Sequence, residues 1–591
     1  MPTPTKWTVL FIVHAVDDQS RYYSEQLFTK LLQANGYVKK DESPEAKNKP
    51  PDVRVFILRN TYDYSDDTKT HAYLWEIKYQ KDVPAKVERV FPDGFQPSQK
   101  PHDPKKKTFE DMNLNFGDPK TLQRIMNQVK DYVAKDDNGE KRNLMLFTWD
   151  HGCAFGIFDP EEYDNEKARP IKSAPSTDML MIKELRNAIE GSFENVQMLV
   201  MMNCWMQSIE TNYELKGCVD VLVGPETSID WLGYNYISIV EKLREDSKNL
   251  VPVNELYLNG LAEFIIQQTK NMYSINKPLT DIKLDELILS ATRPGSPLLY
   301  NKNDENSENT IHGLIKKLAK LLESKVKSNI NLLEIAEARG AVTELTQEFG
   351  GSGRPWCFVD ILELAKKLRA QNLIDDDFVN NLNNCFKQDT PERFFVSIYN
   401  EKKKDGTITK DNFCGLSICF PNNKSFTESS FYKTFYSSKA KEPDGRISFA
   451  KNVNEWPKFI DAAIETGEIH LKQRADKNYS FSLSHDITIT DPLNPIIHSK
   501  MADFMIEDVN GLVINVGKNE VSLNHFPLKF KIAVNIDKES KKARVDSLEF
   551  DDDNSFNFSI ARGAGGNKTG AGGNKTGAGE LIRSHALENE T

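Results

Sequence analysis

Two segments of this chain, NLMLFTWD at 143–150 and VQMLVMMN at 196–203, are apolar at nearly every position instead of at every second one. A strand with one wet face alternates, whereas a strand buried on both faces does not. Around these runs lie stretches with the helical period: SRYYSEQLFTKLLQANG (20–36), KTLQRIMNQVKDYVAK (120–135), IKELRNAIEG (182–191) and IETNYELKG (209–217). Further strand candidates are WTVLFIVHA (7–15), VRVFILRN (53–60), AYLWEIKY (72–79) and VDVLVG (219–224). Strands and helices in alternation, with doubly buried strands among them, predict an α/β fold: a mostly parallel sheet with helices on both sides.

The alternation fills residues 1–275, apart from a Pro-, Lys- and Asp-rich stretch at 81–117 that reads as loops. Residues 276–467 read as a helical region completed by one more apolar strand, FCGLSICFP (413–421). Over 468–560 the pattern changes to period two, with Asn510-Gly511 as a hairpin signal, so a small all-β domain is expected. The remainder, 561–591, carries AGGNKTG twice in tandem and reads as a flexible glycine-rich tail.

The 591 residues, 39% hydrophobic and 28% charged, suffice for about three such units. A net charge of −11 gives no footprint for nucleic acid or for an anionic membrane. The seven cysteines are odd in number and include no CxxC pair, which argues against a disulfide scaffold and a structural zinc site and favours a reducing compartment. The first apolar run is about eight residues long and meets Asp17 and Asp18, as a core strand does and a signal peptide does not. No stretch reaches the ~18 apolar residues of a membrane span. A cytoplasmic protein is the expectation.

In open parallel sheets, sites form outside the carboxyl ends of the strands. His151 follows the first apolar run, and Cys204 follows the second. A buried cysteine is ordinarily a small hydrophobe, and a lone histidine ordinarily has a structural role. What points to chemistry is that both follow strands of one sheet. Cysteine with histidine is the pair that thiolate catalysis needs: the imidazole takes the thiol proton and returns one to the leaving amine. Gly152 lets the backbone approach a substrate, and its N–H with that of Cys204 would hold an oxyanion. Cys153 is a competing nucleophile, but it lacks a strand end of its own. Cys218, Cys357, Cys385, Cys414 and Cys419 lie in or beside apolar runs and read as core.

Several segments resemble, in order and spacing, the clostripain-like cysteine peptidases, relatives of caspases, gingipains and legumains. They are KWTVLFIVHAVDD, NLNFGDPKTLQRIMNQV, LFTWDHG, CWMQSIETNYELKGCVDVLVGPETSIDWLGYNY, FVDILELAKKL and GLSICFP, and the resemblance spans about residues 5–465. It implies a caspase-like α/β/α sandwich, Cys204 as nucleophile and His151 as acid and base. Two departures stand out. Cys153 and Ala154 follow Gly152, where the family has small residues. Met202 stands where the family commonly carries the aspartate that receives an Arg or Lys side chain, so an uncharged primary pocket is expected. Glu226 and Asp230 either supply the missing charge or are solvated loop acids. No cofactor is implied; some relatives depend on calcium, but no EF-hand loop is visible and no metal ligand is assigned.

The expected function is a regulated cytosolic cysteine endopeptidase acting on protein or peptide substrates. The alternative is a non-catalytic member that binds a peptide or protein. The polar segment 159–178, with Lys167 and Arg169, reads as a processing or gating loop. The C-terminal β region is the expected place for a regulatory partner.

Overall fold

The computed structural model describes residues 6–16, 18–33, 52–63, 66–78, 86–89, 116–136, 141–152, 154–158, 179–193, 195–275, 287–301, 303–304, 306–327, 334–335, 338–339, 341–342, 345, 358–387, 395–399, 413–421, 431–441, 445–475 and six strands between 512 and 583. The chain divides into two compact units, residues 1–312 with 381–418 and residues 313–380 with 419–591.

The first unit is built on one sheet. Its parallel centre consists of β1 (Trp7–Ala15), β2 (Val53–Asp63), β5 (Asn143–Trp149), β8 (Val196–Met202) and β9 (Val219–Pro225), in the order β9-β8-β5-β1-β2. Trp7 aligns with both Val53 and Asn143, and Met145 aligns with Met198. All nine residues of β1 are buried, as are the last six of β5 and all of β8 except Gln197. The uniformly apolar runs are therefore strands covered on both faces.

Alternate side chains serve the two faces. On one, Leu10, Ile12, Leu146 and Leu199 pack with Leu122, Ile125, Met126 and Val129 of α2 (Pro119–Asp136) and with Leu185 and Ile189 of α3 (Ile182–Glu190). On the other, Phe11 stacks on Phe147 with ring centroids 4.3 Å apart. Tyr236, which opens α5 (Tyr236–Lys248), meets both rings edge-on at 5.7 and 5.8 Å.

The centre of the sheet is parallel, as expected, and the outer strands add to it antiparallel. β3 (Asp66–Lys78) is longer than the predicted 72–79 and returns antiparallel on β2. Residues 64–65 are too short a connection for a parallel crossover, which needs a dozen residues or more. β4 (Lys86–Arg89) extends this edge from within the stretch read as loops. On the opposite edge, β10 (Leu289–Thr292) and β12 (Phe395–Tyr399) add antiparallel to β9 and to each other. Among the described residues nine strands form the sheet, with its parallel core intact.

In the second unit, Asp360 caps the helix Ile361–Ala370 by accepting from the Leu362 and Glu363 N–H groups. Trp456 donates its indole N–H to the Cys419 carbonyl at 2.8 Å and packs against Phe420 and Phe459. Toward the C-terminus, β14 (Leu512–Val516) pairs antiparallel with β15 (Asn519–Leu523), and β16 (Phe530–Asp537) with β17 (Lys542–Phe550). The AGGNKTG repeats lie outside the described residues. Among the described residues no helix is long and apolar enough to cross a membrane.

Candidate active site

The β5–β8 ladder ends at the pair Trp149–Met202. Past that rung the two chains turn side by side, one as Asp150-His151-Gly152 and the other as Asn203-Cys204-Trp205. Gly152 lies directly against the cysteine turn. A Cβ placed on it would lie 2.6 Å from Asn203 Cβ, 2.9 Å from the Cys204 carbonyl oxygen and 3.0 Å from the Cys204 nitrogen. Glycine is required here by contact, not by backbone angle. The bridge from Gly152 to Ile157 is closed by the Phe158 N–H on the His151 carbonyl at 3.3 Å, a pairing that does not use the Gly152 N–H.

Cys204 is 6% exposed. Burial pushes its thiol up to about 11; the Ile229 backbone amide and the Ser228 side chain pull it back in part, and the Asp150 carboxylate adds to the rise. The next residue, Trp205, has φ +59°, a left-handed backbone that a bulky side chain rarely adopts. Its N–H donates to the Thr227 carbonyl at 3.0 Å, which helps hold the turn. Ser208 then caps α4 (Ile209–Leu215), accepting from the Thr211 N–H at 3.1 Å. The Thr211 hydroxyl donates back to the Ala154 carbonyl at 2.8 Å and so ties the cysteine segment to the histidine loop. Ala154 and Phe158 also have positive φ, +64° and +63°. Three of the chain's strained non-glycine residues therefore flank this one place, as stored strain does at functional sites.

His151 is half-buried, with its ring edge-on to Trp231 at 5.0 Å and 79°. Trp231 also packs on Trp149 at 4.9 Å and stacks on Tyr23 of α1 (Asp18–Gln33) at 5.7 Å. The Asp150 carboxylate meets His14 Nδ1 at 2.8 Å. Met202 is 2% exposed and lies against Gly233, where an added Cβ would come within 3.1 Å of its Cγ.

Glu226 and Asp230 are not solvated loop acids: both are almost completely buried. The chain past β9 does not run out into water but folds back over the cysteine turn, pinned by Trp205 N–H on Thr227 and by Glu226 N–H on the Ile288 carbonyl at 2.8 Å. Asp230 Oδ1 accepts from the Leu232 N–H at 2.8 Å. Its charge also pulls the Lys30 ammonium upward, against the larger downward effect of burial.

The two strand ends thus bring Cys204, His151, Gly152 and Met202 together. Cys153, Lys167, Arg169 and Cys357 lie outside the described residues. Cys218, Cys385, Cys414 and Cys419 are buried in the core, as their apolar surroundings suggest. Among the described residues no group of three or more His, Cys, Asp or Glu side chains is placed to hold a metal ion. Sequence reasoning missed Asn203, Trp231 and His14. Asn203 left one trace, as a polar residue closing an apolar strand directly before the cysteine. The other two come from distant segments and left none.

The sequence profile of the clostripain family matches residues 102–462. No curated protein sequence matches the chain. Among solved structures, a secreted C11 cysteine protease from Bacteroides thetaiotaomicron, iotapain, is similar at 15% identity and TM-score 0.42, covering 78% of this chain and 100% of its own. An inactive zymogen C11 protease from Parabacteroides distasonis is similar at 14% identity and TM-score 0.43, covering 73% of this chain and 99% of its own. The Bacteroides enzyme with an irreversible peptide inhibitor gives 14% and 0.43, over 76% of this chain and 99% of its own. With the profile spanning more than half of its residues, this chain belongs to the clostripain family of cysteine peptidases.

Proposed function

We propose that the protein is a cysteine endopeptidase in which Cys204 and His151 form the catalytic dyad. The observation that carries this is the contact at Gly152, which sets the histidine turn directly against the Cys204 backbone. His151 takes the Cys204 thiol proton as the sulfur attacks the scissile carbonyl. The oxyanion formed is held by the Gly152 and Cys204 N–H groups. Collapse breaks the C–N bond, and His151 protonates the departing amine. A water that gives its proton to His151 then cleaves the thioester and restores the thiol.

Met202 in place of a carboxylate leaves the primary pocket uncharged at that position, so the substrate side chain before the scissile bond is apolar or neutral. The C-terminal β region serves a regulatory partner, and the enzyme works in a reducing, cytoplasmic setting where thiols stay free. The raised Cys204 thiol supports a second reading, a non-catalytic member that binds peptides: a thiol that is neutral at pH 7 is a poor nucleophile until a base is brought to it. Labelling with peptidyl electrophiles across a broad panel of side chains separates the two. The endopeptidase labels at Cys204, and Cys204→Ala and His151→Ala each abolish cleavage of an internal peptide bond. A native protein that no electrophile labels at Cys204 is a binder.

A further inference from the structure

Asn203 precedes Cys204 and is fully buried. Its side-chain amide donates to two carbonyls of the histidine turn, that of Asp150 at 3.1 Å and that of His151 at 2.9 Å. Its oxygen accepts from the Thr148 hydroxyl at 2.6 Å, and Thr148 is itself fully buried on β5. Both amide hydrogens and one oxygen lone pair of Asn203 are therefore used, all on the segment that carries His151.

The place of this bracket matters. Ladder pairing between β5 and β8 stops at Trp149–Met202, and the Asp150 N–H reaches the Met202 carbonyl only at 3.5 Å. Beyond that point the regular ladder between the two strands has ended. The Asn203 side chain continues the connection for two residues, up to the carbonyl of His151. Gly152 Cα then packs against Asn203 Cβ and the Cys204 backbone. One side chain thereby sets the distance between the residue after it in sequence and the residue it holds across the strand gap.

We infer that Asn203 is a positioning residue, bracing the His151 turn against the Cys204 turn so that imidazole, thiol and the Gly152 N–H keep their catalytic geometry. It touches no reacting atom. This role rests on the Cys204–His151 reading above. Catalytic groups lose about 10²-fold in rate when they move by an ångström, and the bracket joins the two turns that carry the histidine and the cysteine.

The test compares Asn203→Asp, Asn203→Ala and Thr148→Val with the full-length parent chain. Asn203→Asp keeps the shape but turns a carboxylate on two carbonyl oxygens. Thr148→Val keeps volume and removes only the hydroxyl that anchors the amide. Peptide cleavage should fall about 10²-fold in kcat for the Asn203 variants and about 10-fold for Thr148→Val, with KM nearly unchanged. The pH profile of kcat should shift relative to the parent, because the imidazole no longer faces the thiol as before. A lowered Tm with kcat and pH profile unchanged in the folded fraction would make Asn203 structural only and overturn the inference. If the Asn203 variants do not fold, Thr148→Val with the parent kcat and profile overturns it alone. Full activity in Cys204→Ala would instead defeat the dyad reading, a result none of these variants produces.

Discussion

His14 Nδ1 lies 2.8 Å from Asp150 Oδ2, both side chains almost fully buried, so the acid preceding His151 is engaged by the end of β1. Phe116 and Phe158 pack around the imidazole at 5.4 and 5.6 Å and keep the pair in apolar surroundings. Removing one member of a buried pair strands the other in a poor dielectric. His14→Ala should therefore destabilise the first unit by about 3–5 kcal/mol. Asp150→Asn keeps a hydrogen-bonding group in place and should lose about 1–2 kcal/mol. Urea unfolding of both variants checks the order; a His14→Ala loss no larger than that of Asp150→Asn would deny the pair this role.

Stability should depend on Cys204 at high pH. Burial raises its thiol from an ordinary 9.0 to about 11, so the unfolded chain ionises this group first as pH rises. The contribution is complete below pH 9 and is lost between pH 9 and about 11, amounting to about 2–3 kcal/mol. Cys218, pushed up to about 12 chiefly by its own burial, acts in the same direction. Unfolding at pH 8 and pH 10.5 should show a drop that is smaller in Cys204→Ala. An equal drop in both proteins would place the titrating group elsewhere.

Gly152→Ala adds one methyl group where there is no room for it. Relief requires the His151 and Cys204 turns to separate, at about 1–3 kcal/mol in stability and about 10²-fold in kcat. Circular dichroism should show a folded protein. Unchanged kcat in a folded Gly152→Ala would mean that the turns tolerate separation.

Cleavage profiling on a peptide library should show neutral or apolar side chains before the scissile bond. Met202→Asp should introduce cleavage after Arg and Lys, since an acid at this position restores a partner for a basic side chain. Strict Arg or Lys preference in the parent chain, abolished by Glu226→Gln or Asp230→Asn, would assign the charge to those buried acids.

The segment 159–178 is proposed as the processing loop. Mass spectrometry of active protein should find a cut after Lys167 or Arg169, made by a second peptidase since the Met202 pocket is uncharged, and in the double alanine variant an intact, weakly active chain instead. An intact parent chain with full activity would remove activation at these sites.

The centre of this protein was legible in its sequence because hydrophobic burial is recorded locally. Seven-residue runs that are apolar at nearly every position read as doubly covered strands, and the helical periods between them favour parallel crossovers. His151 and Cys204 stood out as candidates because parallel strands bring their carboxyl ends to one edge of the sheet. Hairpin return of β3 and the antiparallel edge strands β10 and β12 were not legible, because an edge strand's direction depends on its neighbour. The burial of Glu226 and Asp230 was hidden as well: a polar loop looks the same in sequence whether it faces water or folds back over a cysteine turn. Asn203, Trp231 and His14 owe their places to contacts between residues far apart in the chain, 52 residues in the bond from Asn203 to the His151 carbonyl and 136 in the pair of His14 with Asp150. Local hydrophobic pattern was enough to mark the core strands and the two side chains at their ends. What braces those side chains came only with the fold, because hydrogen bonds and ring contacts depend on distance and direction in space, which no periodicity encodes.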